Sequence, residues 1–432
     1  MSDAMIIPGG WKQLKIGDCS SVKRGASPRP IQDPKWWGGE VGWVRISDVT
    51  ASSKYLIRTR DYLSKKGVRH SVEIKTGEVI LSICATIGRA IITTEPVCIH
   101  DGFVWFDELD EGIEREYFYY YLSSKESELA SSRQTGTQGN LNTDIVSKVD
   151  LIFPKSKPEQ TKIAEVLSTV DQAIELTKAV IAKQQRIKNG LTQDILTRGI
   201  DENGNLRSEK THKFKDSLLG RIPEEWDIEP FGYACERVSV GIATSTTKYY
   251  REDGVPLLRN QNILHGKFDL RDLLYISAEF DLINKSKRLK PGDLIMMRTG
   301  YPGRTAVAPD FIQGWQTFTT LISTPKKSRY LSDFLCLQIN SSIGRGQILT
   351  LQGGGAQQNL NVGWVINMKV LKPSIEEQKR MIAVLTETEK SLTANVSLLN
   401  KFCLLKTALM QDLLTGKKRV TPLLNDTEVM NG

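Results

Sequence analysis

The chain predicts an α/β (α+β) architecture written twice: two globular modules, each followed by a long helix, with the modules at opposite ends of an antiparallel two-helix coiled coil. Three observations carry this expectation. The segment EQTKIAEVLSTVDQAI at Glu159 returns as EQKRMIAVLTETEKSL at Glu377. Short β-branched runs cut by Gly, Pro, Asn and Asp precede each copy, a pattern of strands and turns. Within each copy, apolar residues then recur in steps of three and four, the seam of a coiled coil.

The correspondence between halves runs through the whole chain. GGWKQLKIGD around Trp11 is answered by EEWDIEPFGY around Trp226, GWVRISDV at Arg45 by PLLRNQNI at Arg259, and KTGEVILS at Gly77 by KPGDLIMM at Gly292. IGRAII with Arg89 pairs with PGRTAV and Arg304, and DGFVWF with QTFTTL, so that Phe103 answers Phe318. GTQGNLN then matches GAQQNLN, and LTQDILT matches LMQDLLT. A shared order at nearly constant spacing makes this a duplication.

Within the first module VGWVRI, EVILSI, AIIT and VDLIF read as strands, and Glu114 to Ala130 as one embedded helix. The helix from Glu159 to Thr197 would be roughly 58 Å long. Its seam reads Ile163, Val166, Val170, Ala173, Thr177, Val180, Gln184, Ile187 and Leu191, widened by Leu167, Ile174 and Ile181. The second copy keeps the beat with Ile382, Leu385, Leu392, Val396, Leu399 and Cys403. Each helix needs a partner, and the other copy is the nearest. Pseudo-two-fold symmetry would run them antiparallel. The expected segments are a first module over 1–156, helical spacers over 157–200 and 374–418, a linker over 201–213, a second module over 214–373 and a tail over 419–432.

Composition narrows the chemistry. The 58 basic residues against 50 acidic ones give a net charge of +8, which suits a polyanionic partner without establishing one. KKGVRH at Lys65 and KSKRLK at Lys285 concentrate positive charge and read as solvated loops. With no spanning apolar run and no signal peptide, the expectation is a cytoplasmic protein away from membranes. Six scattered cysteines without a C-x-x-C pair read as buried reduced thiols, not a metal site. No N-P-P-[FY] or D-P-P-[YW] methylation motif is present: QDPKWW carries Lys35 where the second proline belongs and reads as a Trp-rich turn. There is no phosphate loop, no nuclease partner for the PDF at Pro309 and no serine triad. No catalytic constellation is found.

In this arrangement the chain resembles the specificity subunits of Type I restriction-modification enzymes, over nearly its whole length. The first half carries the resemblance in WWGGEVGWVRISDV, TGEVILSICATIGRAII with DGF following, GTQGNLN and PKSKPEQTKIAEVL. The second half carries it in LLRNQNI, PGDLIMMRTGYPGRTAV, GAQQNLN and LKPSIEEQKRMIAVL, and FKDSLLGRIPEEW from Phe214 looks like the usual opening of a second recognition domain. Each motif is weak alone; their order and duplication make the match specific. The resemblance implies two target-recognition domains, each reading one half of a split double-stranded DNA target, held apart by the coil. It implies a chain without catalysis or cofactor of its own. Its partners would be two modification subunits that methylate adenine N6 with S-adenosylmethionine, and restriction subunits that use ATP and Mg. The competing reading is a structural coiled-coil adaptor whose basic modules bind protein or another polyanion.

Major-groove reading needs Arg for guanine, Asn or Gln for adenine, and short acidic side chains for cytosine. Candidates in turn-rich segments of the first module are Arg24, Arg29, Arg45, Ser47, Arg69, Arg89, Arg133 and Gln138; those of the second are Lys248, Arg259, Asn260, Gln261, Arg298, Arg304, Gln352 and Gln357. Residues matched between halves, Arg45 with Arg259 and Arg89 with Arg304, suit phosphate positioning or framework. The unmatched stretch RGASPRP, which faces VGIATST, suits specificity, as does ICAT against MRTG around Arg298. Gly136, Asn140 and Asn142 recur as Gly355, Asn359 and Asn361 and suit framework or partner docking, as do exposed faces of the coil.

Overall fold

The computed structural model describes residues 7–132, 141–351 and 359–424. They form two compact units, Met1–Ala179 with Ser397–Gly432 and Val180–Val396.

In the first unit, β1 (Trp11–Lys15) pairs antiparallel with β10 (Asp150–Pro154) and closes the module. Between them lie β2 (Ser21–Arg24), β3 (Trp37–Val44), β4 (Asp61–Leu63), β5 (Val72–Ile74), β6 (Val79–Ser82), β7 (Ala90–Ile92), β8 (Val97–Ile99) and β9 (Phe103–Asp107). They build two four-stranded sheets, β2-β9-β6-β7 and β4-β3-β8-β5. Val44, Ile74, Ile80, Ile91, Ile99 and Phe103 form one shared apolar core. The helix Arg115–Ser124 is buried along nearly its whole aromatic run, with Phe118 edge-on to Phe106 at 4.8 Å and the Tyr117 hydroxyl donating to the Ile152 carbonyl at 2.7 Å. The single helix expected to Ala130 is broken at Lys125, and a second runs Glu126–Ser131. The break seats buried Leu129 against Gly88, whose φ of +83° leaves no room for a Cβ beside the Glu126 carbonyl.

The second unit repeats this plan. A hairpin of β11 (Phe214–Ser217) and β12 (Gly220–Pro223) precedes β13 (Asp227–Pro230), which pairs with β22 (Lys369–Lys372) as β1 does with β10. Then follow β14 (Cys235–Val240), β15 (Tyr250–Arg251), β16 (Val255–Leu258), β17 (Leu274–Ile276), β18 (Leu294–Met296), β19 (Thr305–Val307), β20 (Gln316–Thr317) and β21 (Leu321–Pro325). The sheets are β14-β21-β18-β19 and β15-β17-β16-β20, and the parallel pairing of β3 with β8 recurs between β16 and β20. Pairing register corrects one expected correspondence. Ile80 faces Trp105, and its counterpart Ile295 faces Ile322, so Phe103 corresponds to Thr320 and not to Phe318. Gly25 donates to the Phe103 carbonyl just as Gly241 donates to that of Thr320. A 3-10 turn, Asp310–Ile312, lengthens the connection into β20 and shifts the register earlier than sequence similarity indicates.

The long helices run Lys157–Arg198 and Ile375–Leu414, and each unit holds one stretch of both. Within each unit they are antiparallel. In the first, Asp171 meets Lys406 at 2.7 Å; in the second, Lys188 pairs with Glu389, and Gln184 bonds Ser391 and Asn395 at 3.0 Å. Asp171 and Glu389 are repeat equivalents, as are Lys188 and Lys406, so one ion pair is written twice. The seam departs from the expected one. Leu167, Val170, Ile174 and Thr177 are buried, but Val180 and Ile187 are 45% and 52% exposed. On the second helix Leu385 and Leu392 are buried, whereas Val396 and Cys403 are exposed. Two neighbouring apolar stripes share the seven-residue beat, and the flank carrying Leu167, Ile174 and Ile181 is the one turned inward. Thiol burial is also incomplete: Cys19, Cys98, Cys235 and Cys336 are buried and free, Cys84 is half-buried and Cys403 exposed.

Helix and module lock together at a corner built alike in both units. Each long helix ends at a glycine with φ +70°, Gly199 or Gly416, the left-handed stop that glycine tolerates best. A Cβ on Gly199 would lie 2.6 Å from the Trp226 ring, and one on Gly416 3.0 Å from Trp11. Beyond the glycine an arginine turns back onto the buried glutamate of the other helix's first turn. In the second unit Arg207 forks onto Glu377, which also accepts from Trp226 Nε1 and the Ile200 amide, each at 3.0 Å. In the first, Arg419 reaches Glu159 through Nε at 2.5 Å and Nη2 at 2.7 Å. The next residue finishes the joint. Gln160 accepts from the Glu114 amide and donates to the Gly112 and Pro154 carbonyls; Gln378 accepts from the Leu331 amide and donates to the Arg329 and Pro373 carbonyls.

Removing one partner from the Arg207–Glu377 pair strands a buried charge. Glu377→Ala or Arg207→Ala should therefore lower the unfolding free energy by roughly 3–5 kcal/mol, while Arg207→Met with Glu377→Gln, which keeps an acceptor for the Trp226 and Ile200 N–H groups, recovers part of it. Urea unfolding of the four proteins checks this, and a double variant no better than the singles would count against it.

Candidate nucleic-acid interface

In the first unit the turns that follow β2, β3, β6 and β8 are stitched into one rim. The Ala26 amide donates to the Ile99 carbonyl, Ile83 to Gly102 and Leu141 to Ile83, at 2.9–3.1 Å. Asp101 is the hub. Its carboxylate accepts from the Ser27 hydroxyl at 2.8 Å and from Arg29 Nη2 at 3.1 Å, and its carbonyl from Arg24 Nε at 2.6 Å. Burial raises the Asp101 pKa, but the Ser27 hydroxyl and the Arg29 charge outweigh it and hold the carboxyl below the ordinary range. Beside it His100 packs against Trp43 and Phe103, its Nδ1 accepting from the Gly102 amide at 2.9 Å. Burial holds the ring below its ordinary pKa against the pull of Asp101, and the charges of Arg45 and Arg24 reinforce the shift.

The other candidates of this unit lie apart from that hub. Arg45 pairs with Asp61 and lies 5.0 Å from the Trp43 ring. Ser47 is exposed within the short helix Ile46–Ala51, not in a turn. Arg89 donates through Nη2 to the Ser52 carbonyl at 2.9 Å, fastening the end of that helix. KKGVRH is a short helix, Lys65–Val68, not a loop, and Lys65, Lys66 and Arg69 have no ion-pair partner among the described residues. Arg133, Gly136, Gln138 and Asn140 lie outside the described residues.

The rim of the second unit centres on a neutral amide, Asn260. The Asn260 amide nitrogen donates to the Thr299 and Thr319 hydroxyls at 3.0 and 3.3 Å, and its oxygen accepts from the Arg298 amide at 3.1 Å. Arg298 donates through Nε to the Leu360 carbonyl, and Arg259 through Nη2 to that of Asp272. Arg304 stacks 4.1 Å over Tyr301. Lys248 is exposed in a 3-10 turn, 4.9 Å from the Tyr249 ring, and Gln261 is exposed. In KSKRLK, Arg288 is tied to buried Asp281. Asn142 and Asn361 cap equivalent helices, accepting from the Ile145 and Trp364 amides at 2.8 and 2.9 Å. Asn359 is exposed, and Gln352, Gly355 and Gln357 lie outside the described residues. Sequence reasoning missed Asp101 and His100: an acidic turn residue has no special signature, and only folding brings it to Arg24 and Arg29.

The rims differ while the frames beneath them match, and comparison with known proteins shows what that plan is similar to. The family model described as Type I restriction modification DNA specificity domain matches residues 8–186. Over that stretch the chain is similar to this specificity domain. The MjaVIII specificity subunit of Methanocaldococcus jannaschii is 22% identical, covering 96% of this chain and 95% of its own length. The MjaIX specificity subunit of the same organism is 27% identical over 60% of each chain, so the match spans less than two thirds of that relative. The EcoBI specificity subunit of Escherichia coli is 23% identical over 76% of this chain and 71% of its own. In fold, the chain is similar to the S subunit from M. genitalium, with a TM-score of 0.56, 13% identity, and 94% and 96% of the two chains covered. It also matches a chain from a study of complex assembly and conformational transition of the type I R-M system, with a TM-score of 0.60, 16% identity, and 95% and 98% covered. No helix among the described residues is long and apolar enough to cross a membrane.

Among the candidate residues, those tied into the frame should be separable from exposed ones by stability. Arg89→Ala should cost roughly 1–2 kcal/mol through its lost bond to Ser52, and Gln261→Ala no more than about 0.5 kcal/mol. Denaturant unfolding of both variants distinguishes them; equal effects would place both side chains on free surface.

Proposed function

We propose that this chain is the non-catalytic sequence-recognition subunit of a Type I restriction-modification complex. Each module reads one half of a bipartite, asymmetric duplex target, and the paired helices set the spacing. The single observation that carries this reading is the contrast between matched frames and unmatched rims. Glu159 and Glu377 each take an arginine fork, and Gln160 and Gln378, and Asn142 and Asn361, make matching bonds in both units. By strand register, the turn that holds Asp101 in one rim is filled by the uncharged Phe318 and Thr319 in the other. A scaffold that fixes geometry and varies only the reading edge is what a two-part target requires. The cations Lys65, Lys66 and Arg69, without ion-pair partners among the described residues, suit phosphate contacts, each neutralised phosphate steepening the log-log salt dependence by about 0.9.

Partner docking has its own support. Val180 and Ile187 are exposed on the first helix, and their repeat equivalents Leu398 and Leu405 are exposed on the second. Two copies of one apolar patch suit two copies of one partner, the modification subunits, which would supply adenine-N6 methylation with S-adenosylmethionine. Restriction subunits would supply the ATP- and Mg-dependent steps. The chain itself would contribute no catalytic group and no cofactor, and would work in the cytoplasm with the genome.

Single-molecule, methylation-sensitive sequencing of cells with and without the chain, modification partner present, tests the reading. Loss of N6-methyladenine at one split, asymmetric motif is expected. Should no motif disappear although the complex forms, the adaptor reading gains. Val180→Glu with Ile187→Glu should leave one bound modification subunit instead of two by native mass spectrometry; an unchanged ratio removes the patch from the interface.

A further inference from the structure

The two rims differ in kind as well as in sequence. In the first, Arg24 and Arg29 both turn toward Asp101, one bonding its carbonyl and the other its carboxylate. Each gives that residue one nitrogen. Among the described residues Arg24 engages only Nε, so its two terminal nitrogens form an open fork; Arg29 engages only Nη2 and keeps 71% of its side chain exposed. Ser27 binds the other carboxylate oxygen, so the aspartate is fixed on both sides and in turn fixes the direction of Arg29. One carboxylate against two guanidinium groups leaves net positive charge at the rim.

Among the described residues of the second unit no such pair shares one hub: Arg271, exposed beside the Asp272 carbonyl that Arg259 bonds, spends both Nε and Nη2 on Asp269. The segment facing Arg24 to Pro30 is VGIATST, with no charged residue. Phe318 and Thr319 fill the turn that holds Asp101 in the first unit, and the one amide there, Asn260, has both its nitrogen and its oxygen engaged by Thr299, Thr319 and the Arg298 backbone. An arginine held from one side by a carboxylate, with its remaining N–H groups turned out, matches the adjacent O6 and N7 acceptors that guanine alone presents in the major groove.

We propose that the Arg24–Arg29 pair reads a guanine in the half-site of the first module, with Asp101 as the residue that positions it, and that the second half-site is read without such a pair. This rests on the recognition reading above and adds which module reads a G·C pair and with what. Arg24, Arg29 and Asp101 act as one reader, so substitutions at all three relax the same position.

The test uses the full chain with its modification partner and the same sequencing readout, applied to Arg24→Ala, Arg29→Ala, Arg29→Lys and Asp101→Asn. Each should lower the preference for G·C at one shared position by roughly ten- to a hundredfold, with the other half-site unchanged. Arg29→Lys keeps the charge and loses the fork, so it should relax that position while retaining most methylation, which separates lost reading from lost folding. The proposal is overturned if the variants relax no common position, if they relax both halves, or if the shared position is an A·T pair. Absence of any chain-dependent motif in the wild type would instead sink the recognition reading itself.

Discussion

A glutamate buried in the first turn of each long helix cannot stay there unpaired, and that constraint organises the rest of the molecule. Its partner is an arginine reached only after the other helix has ended at a left-handed glycine and the chain has turned back. Pairing therefore requires both helices, correctly oriented and in register, and in the second unit also the indole N–H of Trp226. Buried ion pairs add little net stability over well-packed apolar groups. What this one adds is discrimination, since a slip of one turn would leave a carboxylate and a guanidinium dry and unmatched. The adjacent glutamine carries the constraint outward, its amide joining the helix start to the loops of the α/β module.

Frame and rim obey different physics. Frame bonds join groups that recur in both halves, close on backbone or buried partners and leave little donor capacity over. Rim contacts join exposed side chains whose partners differ between units, and they leave N–H groups directed at solvent. Evolution can alter the second set without touching the first, because Asp101 binds Ser27, Arg24 and Arg29 and none of these bears on the helix corner.

Much of this was legible in the sequence. Strands followed from short β-branched runs, the helix starts from the repeated Glu-Gln, and the duplication from order and spacing, because these signals are local or periodic. The seam was not: Ile174 and Val180 lie on adjacent stripes with one period, and only the partner helix decides which faces inward. The pairing of Phe103 with Phe318 failed because a turn inserted before β20 produced a local resemblance out of register. At the rim, the unmatched run from Arg24 to Pro30 was visible as a difference between halves. Its dependence on Asp101 was not, since residues some seventy positions apart in the chain meet only after β2 and β9 have paired.

The ion pairs between the long helices carry one more consequence. Asp171 meets Lys406, and Glu389 meets Lys188, so the acid and the base each helix needs are present within a single half of the chain. Such an interface is isologous in form: a half contains both sides of its own contact. The protein reads as a covalently fused homodimer, in which fusion preserved the self-complementary seam and freed the two ends to drift apart. Asymmetry here was acquired by relaxing an equality that the helices still keep.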